Sequence, residues 1–87
     1  MFAGETMSNN LLKNLDKIHT TELGVVRIKR NLGLEVDDVV AWCKQRARTA
    51  SDIVQKGKNW YVSVDGIVIT INAHSFTIIT AHKKKEQ

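Results

Sequence analysis

The alternation of apolar and polar positions divides the chain into a helical first half and a strand-rich second half. In the first half, Leu11, Leu12, Leu15 and Ile18 recur at helical spacing and form one stripe. A serine and an asparagine precede this stripe, and both residue types cap helix N-termini well. The pattern predicts a first helix from Ser8 to about Ile18.

A second helix is predicted to begin within the segment HTTELG. Thr20 or Thr21 suits the N-cap position, and the following glutamate suits the positive end of the helix dipole. Gly33 is expected to end the helix, because glycine adopts the left-handed conformation at little cost. The buried face of this helix consists of Val25, Ile28 and Leu32.

The segment EVDD begins a third predicted helix, with acidic residues in its first turn. Its apolar stripe consists of Val36, Val39, Val40, Cys43 and Ala47. Because Cys43 lies within that stripe, it is interpreted as a packed thiol rather than a reactive one.

From Thr49 onwards the pattern favours strands. Residues 49–57 fit either a short strand or one helical turn, and the strand is preferred. The segment NWYVSVDGIVITINAHSFTIIT is clearer, because Asp65-Gly66 between two β-rich runs is typical of a two-residue hairpin. A second hairpin is predicted to turn at Ala73-His74.

These two turns predict a register. The first pairs Val64 with Ile67, Val62 with Ile69 and Trp60 with Ile71. The second pairs Ile71 with Phe76, Ile69 with Ile78 and Ile67 with Thr80. One face, which carries Trp60, Val62, Val64, Ile67, Ile69, Ile71, Phe76 and Ile78, must then pack under the helices. The other face carries Tyr61, Ser63, Val68, Thr70, Asn72, Ser75, Thr77 and Ile79.

The predicted fold class is therefore α+β, with three N-terminal helices packed on one face of a three- to four-stranded antiparallel β-meander. Residues 8–82 are expected to form a single domain, with residues 1–7 and 83–87 as flexible termini. Met7 is an alternative natural start.

Composition and charge limit the predicted compartment and the predicted binding partners. No apolar run approaches the roughly 20 residues of a membrane span, so no membrane association is expected. The single cysteine fits a reducing cytosol, and the chain is predicted to be cytoplasmic. The formal charge of +4 falls to +1 without Lys83, Lys84 and Lys85. A solvated basic tail is therefore the preferred interpretation, ahead of a nucleic-acid arm.

Two site types are disfavoured by spacing and charge. His19, Cys43, His74 and His82 match no zinc-ligand pattern, so neither a metal nor a cofactor is predicted. The second and third helices also resemble a helix-turn-helix. However, acidic residues begin the third helix, where a recognition helix meets the bases, so DNA binding is disfavoured.

Several strings resemble a small bacterial family of unknown function, namely HTTELGVVRIKRNLGL, VVAWCK, GKNWYV and ITINAHSFTIITAHK. The resemblance covers the chain from Leu11 to Lys83 and implies no activity. More distantly, helices followed by a meander ending in IITAHK resemble the barnase, EndoU, colicin and RelE group of ribonuclease toxins. That resemblance implies an open sheet face that binds RNA and metal-independent acid–base chemistry near the last strands.

Two hypotheses of function follow for a small bacterial or phage domain. The first is an RNA-directed domain with metal-independent ribonuclease activity, in which a histidine acts as acid or base near neutral pH. The second is an interaction or inhibitor module that binds another protein through its sheet face or edge. The polar residues of the open face fit either hypothesis, and they also fit a solvated face without function. Neither hypothesis predicts an oligomeric state.

His82 is the preferred catalytic candidate and His74 the second. A straight strand would separate them by roughly 23 Å, so at most one is expected to act chemically. The parity of His82 places it on the core side. It is preferred because Lys83, His19 and Arg46 are expected to reach its end of the sheet. The candidate RNA- or partner-binding residues are Tyr61, Thr70, Asn72, Ser75, Thr77, Lys58, Lys83, Arg46 and His19.

Overall fold

The computed structural model describes residues 11–84 and has two substantial helices followed by a four-stranded sheet. Helix α1 spans Glu22–Leu32 and helix α2 spans Val39–Arg48. The strands are β1, Asp52–Lys56; β2, Asn59–Val64; β3, Ile67–Asn72; and β4, Ile78–Lys83. All neighbours are antiparallel and the strand order is β1-β2-β3-β4. The predicted α+β class, with helices before an antiparallel meander, is confirmed.

The predicted first helix is interrupted. Its residues 8–10 lie outside the described residues, as do the predicted flexible residues 1–7 and the last three residues of the predicted flexible segment 83–87. Leu11–Lys13 is helical, and a 3-10 helix follows at Leu15–Lys17. Hydrogen bonds to the carbonyl three residues earlier tighten this segment, as between the Ile18 amide and the Leu15 carbonyl at 3.1 Å. The chain after Ile18 therefore extends towards the sheet.

Local capping rules explain where both helices begin and end. The Thr21 hydroxyl accepts a hydrogen bond from the Gly24 amide, and Gly33 ends α1 at a φ of 68°. Both predictions for this helix are confirmed. The Asp38 carboxylate caps α2 by accepting from the Ala41 amide at 3.0 Å. The acidic pair thus precedes the third predicted helix instead of forming its first turn.

The core lies between the helices and one face of the sheet. Its strand residues include Trp60, Val62, Val64, Ile67, Ile69, Ile71, Ile78 and Ala81. Cys43 is 1% exposed within the core, and burial raises the pKa of its thiol to about 12. The packed-thiol interpretation is therefore confirmed, since little reactive thiolate is present at neutral pH.

The first half of the sheet matches the predicted register. Residues 52–56 form β1, in agreement with the preferred interpretation of that segment. Strands β2 and β3 pair Val64 with Ile67 and Trp60 with Ile71, as predicted. Asp65 and Gly66 both have positive φ, at 49° and 78°, which is the geometry of the expected two-residue turn.

The predicted pairing of the last strand is wrong. Ile71 pairs with Ile78 instead of Phe76, Ile69 with Ala81 instead of Ile78, and Ile67 with Lys83 instead of Thr80. The connection between β3 and β4 is longer than the predicted two residues and spans residues 73–77. A bulge then shifts the register between Thr70 and Ile71.

The bulge changes which face the later residues of β4 occupy. His82 pairs with Val68, on the face turned away from the core, so its predicted core-side position is wrong. Phe76, predicted to be a buried strand residue, is half-buried in the connection. Strand β4 continues to Lys83, one residue beyond the predicted domain boundary, and the Lys84 amide donates to the Gly66 carbonyl at 2.8 Å.

Candidate functional site

One end of the sheet brings together three parts of the chain. The turn between β1 and β2 and the connection between β3 and β4 meet there, because Asn59 pairs with Asn72. His19 joins them from the N-terminal half through a parallel bridge to Thr77. This end, with His19, the Asn72–Thr77 segment and Lys58, is called the His19 end below.

The backbone of His19 is held by the sheet. Its amide donates to the Phe76 carbonyl at 3.1 Å, and its carbonyl accepts from the Ile78 amide at 2.7 Å. The neighbouring Thr20 hydroxyl donates to the Ile78 carbonyl at 2.9 Å. His19 therefore extends the sheet beside the start of β4, while its side chain remains exposed.

A chain of side-chain hydrogen bonds starts at the His19 ring. Nδ1 of His19 donates to the Lys17 carbonyl at 3.0 Å, and Nε2 lies 3.0 Å from Oγ1 of Thr77. Oγ1 of Thr77 is in turn 2.8 Å from Oγ of Ser75. Oγ of Ser75 lies 3.2 Å from Oδ1 of Asn72. An imidazole, two hydroxyls and an amide oxygen thus form one connected network.

Asn72 shapes the loop that carries this network. Its Oδ1 accepts from the amides of His74 and Ser75, both at 2.9 Å, and its backbone carbonyl accepts from the Phe76 amide at 2.8 Å. Its backbone amide donates to the Thr77 carbonyl at 2.8 Å. These bonds direct Ser75 and Thr77 towards the same side of the loop.

Packing holds Phe76 in an unusual conformation at the centre of the loop. Its φ is 61°, which is uncommon for an aromatic residue and costs conformational energy. The ring packs on Trp60 with centroids 5.4 Å apart, and Nζ of Lys17 lies 5.6 Å from its centroid. These contacts stabilise the loop conformation that places Ser75 and Thr77.

An open cleft adjoins the network. It has a volume of about 500 Å³ and is lined by Gln55, Gly57, Lys58, Asn72, Ala73 and His74. Its lining contains a lysine and a histidine but no carboxylate. Because Oδ1 of Asn72 is engaged by the loop, the amide nitrogen of that residue is the part left to donate to a ligand. A cleft of this character suits an anionic ligand rich in hydrogen-bond acceptors.

The structure separates His19 from the other residues that the sequence analysis grouped around His82. His82 and Lys83 pair with the first residues of β3, at the opposite end of the sheet from Asn72. That strand spans about 16 Å at roughly 3.3 Å per residue. Arg46 also lies at the far end, where it pairs with Asp65 at 2.7 Å and stacks on Trp42 at 5.4 Å. His19 therefore lies at the opposite end of the sheet from His82, contrary to expectation, whereas Lys83 and Arg46 lie at the same end as His82.

Two of the remaining predicted binding residues, Thr70 and Tyr61, lie between the two ends. Thr70 is 7% exposed, so little of its side chain is accessible to a partner. Tyr61 is half-buried opposite Thr70, and its hydroxyl accepts from the Asn59 side chain at 3.4 Å. Lys58 lines the cleft, as does His74, the second catalytic candidate.

Sequence reasoning included His19 among the binding candidates but did not connect it with Thr77. The two residues are 58 positions apart, and no local pattern predicts a parallel bridge between a loop and a bulged strand. The one available sign was the isolated position of His19 between two predicted helices.

Two further features are absent from residues 11–84. No group of three or more histidine, cysteine or acidic residues has the geometry to hold a metal ion in this part of the chain. None of its helices combines the length and apolar character needed to cross a membrane.

Comparison with known proteins gives a family without an assigned activity. A family model described as a protein of unknown function, DUF3781, matches residues 12–82. The searches for similar curated proteins and for similar solved structures found no match. The resemblance to the ribonuclease toxin group therefore has no support from these comparisons.

Proposed function

Because the chain belongs to the DUF3781 family, whose function is unknown, we propose a function from the geometry of the His19 end. We propose that the domain binds RNA there and cleaves the RNA backbone without a metal ion. The observation that carries the proposal is the His19–Thr77–Ser75 hydrogen-bond chain beside the cleft of Lys58 and His74.

The proposed reaction needs three kinds of group. A base removes the proton of the ribose 2′-hydroxyl, an acid protonates the leaving 5′-oxygen, and donors or cations stabilise charge on the phosphate. Histidine serves as either acid or base near neutral pH. The two exposed histidines of the His19 end supply this pair, with His19 as the proton acceptor and His74 as the proton donor.

The cleft supplies the phosphate contacts. Lys58 contributes a positive charge, and the Asn72 amide nitrogen contributes a donor whose orientation is held by the loop. Cations and preorganised donors next to a phosphate favour the charge that develops as the bond to the leaving oxygen breaks. The absence of a carboxylate from the cleft lining also avoids repulsion of the RNA backbone.

Each bond that breaks in the proposed reaction is matched by a bond that forms. The 2′-oxygen loses its proton towards His19 and uses the freed electron pair to form a bond to phosphorus. The bond from phosphorus to the 5′-oxygen breaks, and that oxygen takes a proton from the His74 imidazolium. The products are a 2′,3′-cyclic phosphate and a 5′-hydroxyl, and the two histidines exchange protons with water before the next cycle.

The test is incubation of the purified protein with a fluorescently labelled single-stranded RNA, with and without a chelator. We expect cleavage in both conditions, with fragments that end in a cyclic phosphate. A matched DNA oligonucleotide is the control and should stay intact, because it lacks the 2′-hydroxyl. Intact RNA after incubation with the folded protein, or cleavage that the chelator abolishes, would contradict the proposal.

The position of β1 at one end of the strand order favours a second candidate function, namely binding of a protein strand. Strand β1 lies at an edge of the sheet, and its Val54 is 42% exposed. An exposed edge strand can pair with an extended segment of a partner. Absence of RNA cleavage and of RNA binding, together with protection of the β1 amides by a partner protein, would favour this alternative.

A further inference from the structure

The hydrogen-bond chain at the His19 end defines the direction in which protons move. We infer that Ser75 is the group that contacts the substrate hydroxyl, and that Thr77 passes the proton from Ser75 to His19. The inference rests on the proposed function, since it identifies the residues through which the base of that reaction acts.

The tautomer of His19 is determined by the Lys17 carbonyl. A carbonyl oxygen accepts hydrogen bonds and cannot donate them, so Nδ1 of His19, at 3.0 Å, carries a proton. In the neutral imidazole, Nε2 is then without a proton and acts as an acceptor. Within residues 11–84, the side-chain partner of Nε2 is Oγ1 of Thr77, at 3.0 Å.

Each hydroxyl has a single proton, and this determines the directions of the remaining hydrogen bonds in the network. The Thr77 hydroxyl has one proton, which it donates to Nε2 of neutral His19. Its oxygen then accepts the proton of Ser75 at 2.8 Å. With its own proton engaged in this way, Oγ of Ser75 has lone pairs available to accept a proton from a substrate hydroxyl.

After proton transfer, the polar atoms of the network again have hydrogen-bond partners. When Nε2 of His19 is protonated, it donates to Oγ1 of Thr77, and Thr77 donates to Ser75. The Ser75 hydroxyl then donates to Oδ1 of Asn72, which lies 3.2 Å away. The network thus has a complete set of partners before and after the base accepts a proton, as a relay requires.

The chemical step follows from these two arrangements. The 2′-hydroxyl proton moves to Oγ of Ser75 as the Ser75 proton moves to Thr77 and the Thr77 proton moves to Nε2 of His19. No bond to carbon or phosphorus forms on the protein. Ser75 is therefore the catalytic residue that meets the substrate, and Thr77 is a positioning residue that acts through it.

The test compares Thr77→Val with Thr77→Ser. Valine has nearly the shape of threonine but no hydroxyl, whereas serine keeps the hydroxyl and loses a methyl group. The first readout is the nitrogen-15 NMR shift of His19 Nε2 in the protein without RNA. We expect Thr77→Val to move this resonance, because its hydrogen-bond donor is lost, and Thr77→Ser to leave it near the wild-type position.

The second readout is RNA cleavage. Loss of the relay should lower kcat in Thr77→Val by about 100-fold, at the lower end of general acid–base effects, and Thr77→Ser should keep most of the activity. KM should change little in both variants, because Thr77 is not expected to bind the substrate directly. Should valine destabilise the fold, Ser75→Ala is the second variant, because Ser75 is exposed. It should lower kcat by a similar factor but leave the His19 Nε2 resonance near the wild-type position, since Thr77 still donates to that nitrogen.

The outcomes separate the inference from the proposed function. A wild-type protein without ribonuclease activity would overturn the proposed function, and with it the substrate role of Ser75. An active wild type with an equally active Thr77→Val variant would overturn the relay alone. An Nε2 resonance that does not respond to Thr77→Val would also overturn the relay, because it would show that Thr77 is not the donor.

Discussion

Replacing Trp60 with alanine should lower the free energy of unfolding by about 3–5 kcal/mol, the usual range for a large aromatic residue in a core. Trp60 is 1% exposed and packs against Phe76 with ring centroids 5.4 Å apart. Alanine would leave a cavity below the loop between β3 and β4. Because typical domains are stable by only about 5–15 kcal/mol, this variant should unfold at much lower urea concentration.

Trp60→Phe is the matched control and should be much less damaging. The Nε1 hydrogen-bond donor of Trp60 is buried and has no partner among the described residues. Phenylalanine fills part of the volume and removes this donor, whose burial costs about 1–3 kcal/mol. Urea denaturation of the three proteins measures the difference. An alanine variant as stable as the wild type would show that Trp60 does not anchor the core.

Replacing His19 with alanine should lower kcat for RNA cleavage by about 10²–10⁴-fold, the usual contribution of a general base. The fold should be retained, because His19 contributes to the sheet through its backbone amide and carbonyl, and its ring is exposed. The substitution removes the ring from the Lys17 carbonyl and the Thr77 hydroxyl and leaves the strand bridge in place.

His82→Ala is the informative comparison, since the sequence interpretation preferred His82 as the catalytic residue. His82 is also exposed, but it lies at the far end of the sheet opposite Val68. Steady-state kinetics should show little change in this variant. Equal loss of activity in both variants, with circular dichroism spectra like the wild type, would contradict a site confined to the His19 end.

The elements governed by local rules could be predicted from the sequence. The cap of α1 at Thr21, its end at Gly33 and the turn at Asp65-Gly66 each depend on residues within a few positions. The same applies to the alternation that buries Trp60 and Val62. At these positions the local conformational preference agrees with the overall fold, so a single sequence is enough to predict these elements.

The loop and the last strand could not be predicted because their geometry depends on side chains and on distant contacts. Asn72 uses its side chain to accept two loop amides, which lengthens the connection beyond the expected two-residue turn. Phe76 has a positive φ, supported by packing on Trp60. The subsequent bulge moves His82 to the other face, which no periodicity argument detects.

In the candidate site, too, the sequence predicts which residues lie near one turn but does not predict the contacts between distant residues. The sequence places Asn72, Ser75 and Thr77 near one turn, and residues near one turn lie close together in any register. His19 completes the network through a contact across 58 positions, and Arg46 is removed from it by its ion pair with Asp65. Both facts depend on how the helices pack against the sheet.

The measurement that tests the central claim most directly is NMR mapping of RNA binding. The labelled protein is titrated with a short 2′-O-methyl oligonucleotide, which cannot form the cyclic phosphate and therefore stays intact. We predict that the shifted backbone amides cluster at His19, at Gly57 and Lys58, and at residues 72–77. Shifts confined to the His82 end of the sheet, or no shifts with the oligonucleotide in large excess, would contradict an RNA site at the His19 end.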